Sequence, residues 1–407
     1  MTSSIVQRAG VGLSLLASGT AAGVWFERSA KTLDEPPKEE IVTIAGAIGN
    51  TPLLEIKSLS KLTGCRILAK AEFMNPSGSV KDRAAKYLIE DAEKEGNLKP
   101  GGTVVEATGG NTGLGLAIVA ASKGYKTIFT MPDKTSSEKI ELMQVLGATV
   151  HVQPSVGMDD PEHFYNVAKR IVAADPLCFG PDQFENVANS RAHYEGTGPE
   201  IWHQTAGKVD GFIVASGTGG TIGGVSKFLK EKNPAIQVWH IDPNEGGASS
   251  DYVNSKQTNS KVAPNGFEVI PKRDGSTIAE GIGLARVTPN FKFGAIDKGI
   301  FGTNVEIVKM AYYLLRHEGA CQNSLARARQ ATLSTCCRAC VDTSIFVGPS
   351  AALNVVGAVK MAQALGPGHT VVTVLCDGGD RYRSKLFNAA WLAEHNLTES
   401  VNLPLEL

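Results

Sequence analysis

Three short stretches of the chain carry residues suited to chemistry. The first is Asn75-Pro-Ser-Gly-Ser-Val-Lys81-Asp-Arg83, where turn residues give way to the helically spaced run Arg83-Ala-Ala-Lys-Tyr-Leu-Ile-Glu-Asp-Ala-Glu93. A lysine at a helix start faces the positive end of the helix dipole, which disfavours its ammonium form. The neutral amine is a nucleophile and a base. Alone, such a lysine reads as ordinary solvated surface; the other two stretches change that reading.

The second stretch is Glu106-Ala-Thr-Gly-Gly-Asn-Thr-Gly-Leu-Gly-Leu116, a strand running into a helix that begins near Thr112. Free backbone N–H groups at a helix start bind carboxylates and phosphates, and Thr108, Asn111 and Thr112 add side-chain donors. Taken singly, it reads more simply as tight packing. The third is Ala215-Ser-Gly-Thr-Gly-Gly-Thr-Ile-Gly-Gly224, directly after the apolar run Gly211–Ala215. Its glycines let N–H groups converge, and Ser216, Thr218 and Thr221 supply hydroxyls. It lacks both the lysine of a P-loop and the spacing of a dinucleotide fingerprint, so a monophosphate fits better than a nucleotide triphosphate. A Schiff-base lysine, an anion loop and a lysine-free phosphate cup together point to pyridoxal 5′-phosphate.

The elements that position these loops alternate between β-type runs and helical segments, the pattern of an α/β protein. The clearest strands are Cys65–Ala71, Thr103–Ala107, Thr127–Met131, Thr149–Val152, Gly211–Ala215, Gln237–Ile241 and Thr370–Leu375. Such continuous apolar runs suit sheets covered on both faces. The chain has 407 residues and is 42% hydrophobic, enough for two lobes and a large core. A net charge of −1 gives no footing for nucleic-acid binding. Seven scattered cysteines do not form a disulfide framework, which suits a reducing compartment.

Two segments break the rhythm. Asn244–Thr277 is polar and turn-rich and reads as a surface excursion. Residues 320–344 have no clear period and hold Cys321, Cys336, Cys337 and Cys340. Their spacing fits no common zinc knuckle and no histidine completes a ligand set, so no metal is assigned. The segment reads as an irregular insertion, and its length would also match a short unspliced intron. Ahead of the folded part, Ala9–Phe26 contains no charged residue and, at about 18 residues, just suffices to cross a thin bilayer. It reads as a membrane anchor ahead of an organelle-targeting peptide, a secretory signal or a disordered leader; Thr32–Glu40 reads as a linker.

At this point the chain resembles the cysteine synthase and cystathionine β-synthase family, the fold-type II pyridoxal-phosphate enzymes. The likeness rests on Asn50-Thr-Pro-Leu53, the Asn75–Arg83 segment, Thr108–Gly113 and Met131-Pro-Asp-Lys-Thr-Ser-Ser-Glu138. It continues through Gln183-Phe-Glu-Asn-Val-Ala-Asn189, His193-Tyr-Glu-Gly-Thr-Gly-Pro-Glu-Ile-Trp202, the 216–224 loop, Glu280-Gly-Ile-Gly283 and Arg381-Tyr382. The resemblance implies a two-lobed, three-layer α/β fold of the tryptophan synthase β type, with residues 41–190 as one lobe and 191–395 as the other.

The resemblance also implies roles. Lys81 would hold the cofactor covalently and later act as base at the substrate Cα. Asn111 would meet the cofactor's 3′-oxygen, and Ser216, Gly217, Thr218, Gly219, Gly220 and Thr221 would hold its phosphate. Thr108, Gly109, Gly110 and Thr112, with Gln183, would cradle the substrate carboxylate, and Gly281 would line the site. Two positions depart from the family. Gly109 replaces a serine, removing a hydroxyl near the substrate. Gly378 stands where a serine usually meets the pyridine nitrogen, leaving Asp377 or Asp380 as candidates to approach it.

The expected reaction is β-replacement, giving L-cysteine from O-acetyl-L-serine and sulfide. The competing readings are a cysteine desulfhydrase or other β-elimination, and a catalytically silent fold that binds a membrane partner. Neither a regulatory domain after the catalytic part nor a haem-binding arm before it is recognisable, which favours a cysteine synthase. The resemblance to anchored fungal cysteine synthases further implies a homodimer on the mitochondrial outer membrane, facing the cytosol.

Overall fold

Strands of the larger sheet alternate their side chains between two apolar layers. The computed structural model describes residues 43–158, 160–263, 266–318 and 345–405. The expected anchor at 9–26, its linker and the insertion at 320–344 lie outside the described residues. Among the described residues, no helix is long and apolar enough to cross a membrane.

The larger sheet contains β1 (Leu53–Glu55), β2 (Arg66–Ala71), β7 (Gly211–Val214), β8 (Gln237–Pro243), β11 (Lys298–Gly302) and β12 (Thr370–Leu375). Their order is β1-β2-β12-β7-β8-β11, parallel except for the β1–β2 pair. Ile67, Ile213 and Val371 point into a layer shared with the helices Asn304–His317 and Pro349–Leu365. Their neighbours Leu68, Phe212 and Val372 point into the opposite layer, with Ile201, Ile222, Val225 and Leu229 from the helices Gly198–Gln204 and Gly220–Lys232. Successive residues of a strand face opposite sides, so these fully apolar strands require cover on both faces.

The smaller sheet is all parallel, in the order β5-β4-β3-β6, from β3 (Thr103–Ala107), β4 (Lys126–Pro132), β5 (Thr149–Gln153) and β6 (Cys178–Phe179). Val104, Phe129 and Met131 pack beneath Ile89 and Leu116 of the helices Lys81–Lys94 and Asn111–Ser122. Val105 and Ala107 face the helix Phe164–Ala174 on the other side. Both sheets are thus three-layered α/β units. β1 and β2, which precede residue 190, join the larger sheet.

All seven strands expected from the sequence are present, with ends shifted by a residue or two. β11 was not among them, since Lys-Gly-Ile-Phe-Gly has little β-type composition; its pairing with β8 supplies what propensity lacks. The segment Asn244–Thr277, expected at the surface, buries Ser249, Ser250 and Tyr252 in a short helix. The reason is Asp242 at the end of β8, whose Oδ2 accepts the Ala248 and Ser250 N–H groups at 2.9 Å each.

A buried ion network fixes the Lys81–Lys94 helix to β2. Arg83 donates from Nε to Glu72 Oε2 at 2.6 Å and from Nη1 to Glu200 Oε1 at 2.7 Å. Lys70 on β2 lies 2.5 Å from the other Glu200 oxygen. Glu72 also accepts the Thr51 hydroxyl at 2.7 Å and the Asn75 amide at 2.8 Å. Burial alone would raise the Glu200 carboxyl, but the hydrogen bonds and charges of Arg83 and Lys70 hold it down at about 2. A carboxyl depressed in the folded state stabilises above its unfolded value, and that contribution fades as pH falls from about 4.5 toward 2. Removing one partner strands the others, so Arg83→Ala should lower stability by about 3–5 kcal/mol, measured by urea unfolding at neutral pH.

Candidate active site

Ligand sites in open α/β sheets form at the carboxyl ends of parallel strands. Here β2 ends in the Lys81 loop, β12 in Cys376–Gly378, β7 in Ser216–Gly220 and β3 in Thr108–Gly110. The register pairs Ala71 with Leu375, so the first two loops emerge side by side. The Val80 N–H closes the junction by donating to the Cys376 carbonyl at 2.8 Å. Around it, Gly78 takes a left-handed φ of 80°, and Asp82 accepts the Ser77 N–H at 2.6 Å.

Lys81 is the first residue of its helix. Burial lowers its amine from the ordinary lysine range, against the opposing pull of Cys376 and Asp377. The shift is toward the neutral amine, the direction expected from the sequence, with desolvation as the larger cause. Gly115 brings the Asn111–Ser122 helix onto this point: a Cβ there would stand 3.1 Å from the Lys81 carbonyl oxygen.

The loop read above as a phosphate cup follows β7 and runs into the Gly220–Lys232 helix. Gly219, with φ of 87°, caps the Gly220–Lys232 helix. The backbone N–H groups of Gly217–Gly220 have no hydrogen-bond partner among the described residues. Buried polar groups left in this way call for a ligand. The hydroxyls are set from behind: Ser216 pairs with His240 Nε2 at 2.8 Å, Thr218 accepts from Asn189 Nδ2 at 2.9 Å, and Thr221 lies 3.3 Å from His193 Nε2. Burial drives His193 down to about 3 and also lowers His240, so both imidazoles are neutral. Gly281 belongs to this group, because a Cβ on Gly217 would fall 2.1 Å from its carbonyl oxygen. The sequence reading missed His193, His240 and Asn189 as supports of the cup, although His193 and Asn189 fall within the segments that carry the resemblance.

The structure brings the loop read above as a carboxylate cradle, Thr108–Thr112, together with Gln183. Thr108 Oγ1 accepts the Gly110 N–H at 3.3 Å, and the Thr112 hydroxyl donates to Gln183 Oε1 at 2.6 Å. Asn111 opens the helix, and its amide donates to Asp377 Oδ2 at 2.7 Å while its oxygen accepts from Arg381. Tyr382 donates to the same Asp377 oxygen at 2.6 Å, and Asp377 Oδ1 is buried without a partner. Burial raises the Asp377 carboxyl. Of the two aspartates beside Gly378, Asp377 is the interior one, while Asp380 is exposed. Across the mouth, Glu280 binds Lys139 and Lys385, joining the helix Ser137–Val145 to the segment after Tyr382.

Comparison with known proteins gives the family. Residues 44–326 match the family model described as pyridoxal-phosphate dependent enzyme. The chain belongs to that family. It is 45% identical to a cysteine synthase of Dictyostelium discoideum, covering 88% of this chain and 87% of the relative. It is 38% identical to a putative mitochondrial cysteine synthase of Saccharomyces cerevisiae, over 98% of each chain. Among solved structures, the O-acetylserine-dependent cystathionine β-synthase of Helicobacter pylori matches with a TM-score of 0.68 and 32% identity, covering 85% of this chain and 98% of that one. The protein is thus a fold-type II pyridoxal-phosphate enzyme of the cysteine synthase kind.

The two glycines that depart from the family differ physically. A Cβ on Gly109 would stand 2.6 Å from Thr135 Oγ1 and 3.3 Å from Met131 Cβ, so that place is filled, with the Thr135 hydroxyl against it. A Cβ on Gly378 would meet only Asp380 Oδ2, at 3.7 Å, and its φ of −78° suits any residue. Gly109→Ser should therefore cost about 1–3 kcal/mol of stability. Gly378→Ser should change stability by less than about 0.5 kcal/mol and shift the absorbance of the bound cofactor. Thermal unfolding and visible spectra of the two variants check both expectations.

Proposed function

We propose that this protein is a cysteine synthase, making L-cysteine and acetate from O-acetyl-L-serine and hydrosulfide. The observation that carries the reading is Lys81, at a helix start with its amine shifted toward the neutral form, at strand ends that also carry a lysine-free glycine loop and an anion-type loop. The residues present fit pyridoxal 5′-phosphate: Lys81 to hold it, Asn111 beside it, and Ser216–Thr221 for its phosphate. When bound, that group supplies the electron sink that makes the substrate Cα acidic.

The chain's own groups do the rest. The Thr108–Thr112 loop and Gln183 bind the substrate carboxylate through N–H and side-chain donors at a helix start. This orients Cα toward Lys81, which takes its proton and later returns one. Acetate leaves Cβ and sulfur takes its place, so the reaction exchanges one anion for another and needs no oxidant. Glu280, held by Lys139 and Lys385, ties the helix Ser137–Val145 to the segment after Tyr382. Homodimerisation belongs to the same reading.

The location extends this proposal. The yeast relative is named mitochondrial, and Ala9–Phe26 has the length and lack of charge of a single-pass anchor. We place the enzyme on the mitochondrial outer membrane, with its catalytic part facing the cytosol. Deletion of residues 1–40 should move it from the membrane pellet to the supernatant on cell fractionation, whereas retention in the pellet would overturn the anchor.

Purified protein should form cysteine from O-acetylserine and sulfide faster than it releases sulfide from cysteine. Lys81→Ala should abolish the visible absorbance of the lysine-bound cofactor and lower turnover by at least ~10³-fold. A Lys81→Ala protein that kept that absorbance would sink the assignment. Faster sulfide release than cysteine formation would instead make the protein a desulfhydrase.

A further inference from the structure

Directly before the carboxylate cradle, Glu106 is buried in β3, and the functional reading gives it no role. Its side chain lies toward a cavity of about 220 Å³ lined by Val105, Ala107, Tyr165, Ala168, Lys169 and Asp182, among others. The Asp182 and Gln183 N–H groups and the Gln183 side-chain amide act on its carboxyl as donors. Its other oxygen, Oε2, is buried with no partner. On its far side, the same Gln183 amide accepts the Thr112 hydroxyl at 2.6 Å. Glu106, Gln183 and Thr112 therefore form one relay from the interior of the smaller sheet to the cradle.

We propose that Glu106 is a positioning residue which, as the neutral acid, orients the Gln183 amide, and whose ionisation expels a carboxylate ligand from the cradle. The inference rests on the cysteine synthase reading above, in which that ligand is the substrate's carboxylate. A buried carboxyl oxygen without a donor leaves the anion poorly solvated, and an anion there would lie behind the arriving substrate anion with little solvent to screen it. Burial raises this carboxyl to about 8, with the Asp182 charge adding to the rise and the Gln183 and Asp182 hydrogen bonds opposing it. The other charged or titratable groups at the cavity are Tyr165, which donates to Asp182 at 2.9 Å, and Lys169, whose ammonium sits 4.5 Å from the Tyr165 ring centre. Arg286, beyond Tyr165, is held by Glu185.

The sign follows by linkage. A bound carboxylate raises the Glu106 pKa further, so binding takes up a proton and weakens as pH climbs past the value of the free enzyme. One unit of added shift corresponds to roughly tenfold weaker binding at high pH.

Acetate is a suitable probe because it has no amine to titrate. Its dissociation constant for the holoenzyme, followed by calorimetry between pH 6.5 and 9, should rise roughly tenfold for the wild type. Glu106→Gln keeps the acceptor and cannot ionise, so its dissociation constant should stay flat over that range. Glu106→Ala should bind acetate about tenfold more weakly than wild type already at pH 7, and the glutamine variant should restore that loss. A Glu106→Gln protein with the wild-type pH profile, or an alanine variant that binds acetate as wild type does, would overturn the proposal. Absence of cysteine formation by the wild type would overturn the functional reading instead, and the acetate titration would still report on Glu106.

Discussion

A buried guanidinium between two carboxylates is the constraint on which the site depends. Arg83 is two residues past Lys81, and its fork binds Glu72 from the end of β2 and Glu200 from the helix Gly198–Gln204. Buried ion pairs are weak evidence of net stability, because desolvation offsets much of the attraction. Their value here is geometric. The planar fork admits few arrangements, so the helix start can adopt one position and one rotation relative to β2. The same helix packs its apolar side on the smaller sheet through Ile89. One element thereby fixes Lys81 against both sheets.

That placement lets four strand ends share a single site. Parallel strands deliver all their carboxyl ends to the same edge, and helices that follow them present unpaired N–H groups there. The larger sheet supplies the lysine, the phosphate cup and the Cys376–Gly378 turn; the smaller supplies the cradle. Only a few polar bridges join the two contributions, among them Asn111 to Asp377 and Lys139 to Glu280. They add to the apolar packing of the Lys81–Lys94 helix on the smaller sheet, so the two contributions are held in register by both kinds of contact.

Much of this was legible in the sequence because it depends on local chemistry. Gly78 and Pro76 announce the turn before Lys81, glycine spacing announces the cup, and unbroken apolar runs announce parallel strands. What was hidden depends on residues far apart in the chain. Nothing local indicates that Thr135 fills the space beside Gly109, or that His240 lies behind Ser216. Likewise Lys-Gly-Ile-Phe-Gly forms β11 because β8 offers an edge, and Asp242 draws a polar segment inward by accepting two N–H groups. Gly109 and Gly378 look alike in sequence as lost hydroxyls. Only the surroundings show that one position is filled and the other open.

The ionisable groups around the site share a further property. Burial lowers Lys81 and His193 and raises Glu106 and Asp377, moving each toward its neutral form. Desolvation thus works against charge at each of these positions, and the ion pairs of the site lie elsewhere, at Glu280 with Lys139 and Lys385. A phosphate and a carboxylate held by backbone dipoles keep much of their negative field, since N–H groups solvate an anion without cancelling its charge. That field favours adding a proton at every nearby group, Lys81 included. In the proposed reaction the lysine accepts a proton from Cα as the neutral amine and returns it as the ammonium. Desolvation and the ligand anions act on it in opposite directions, the first toward the neutral amine and the second toward the ammonium.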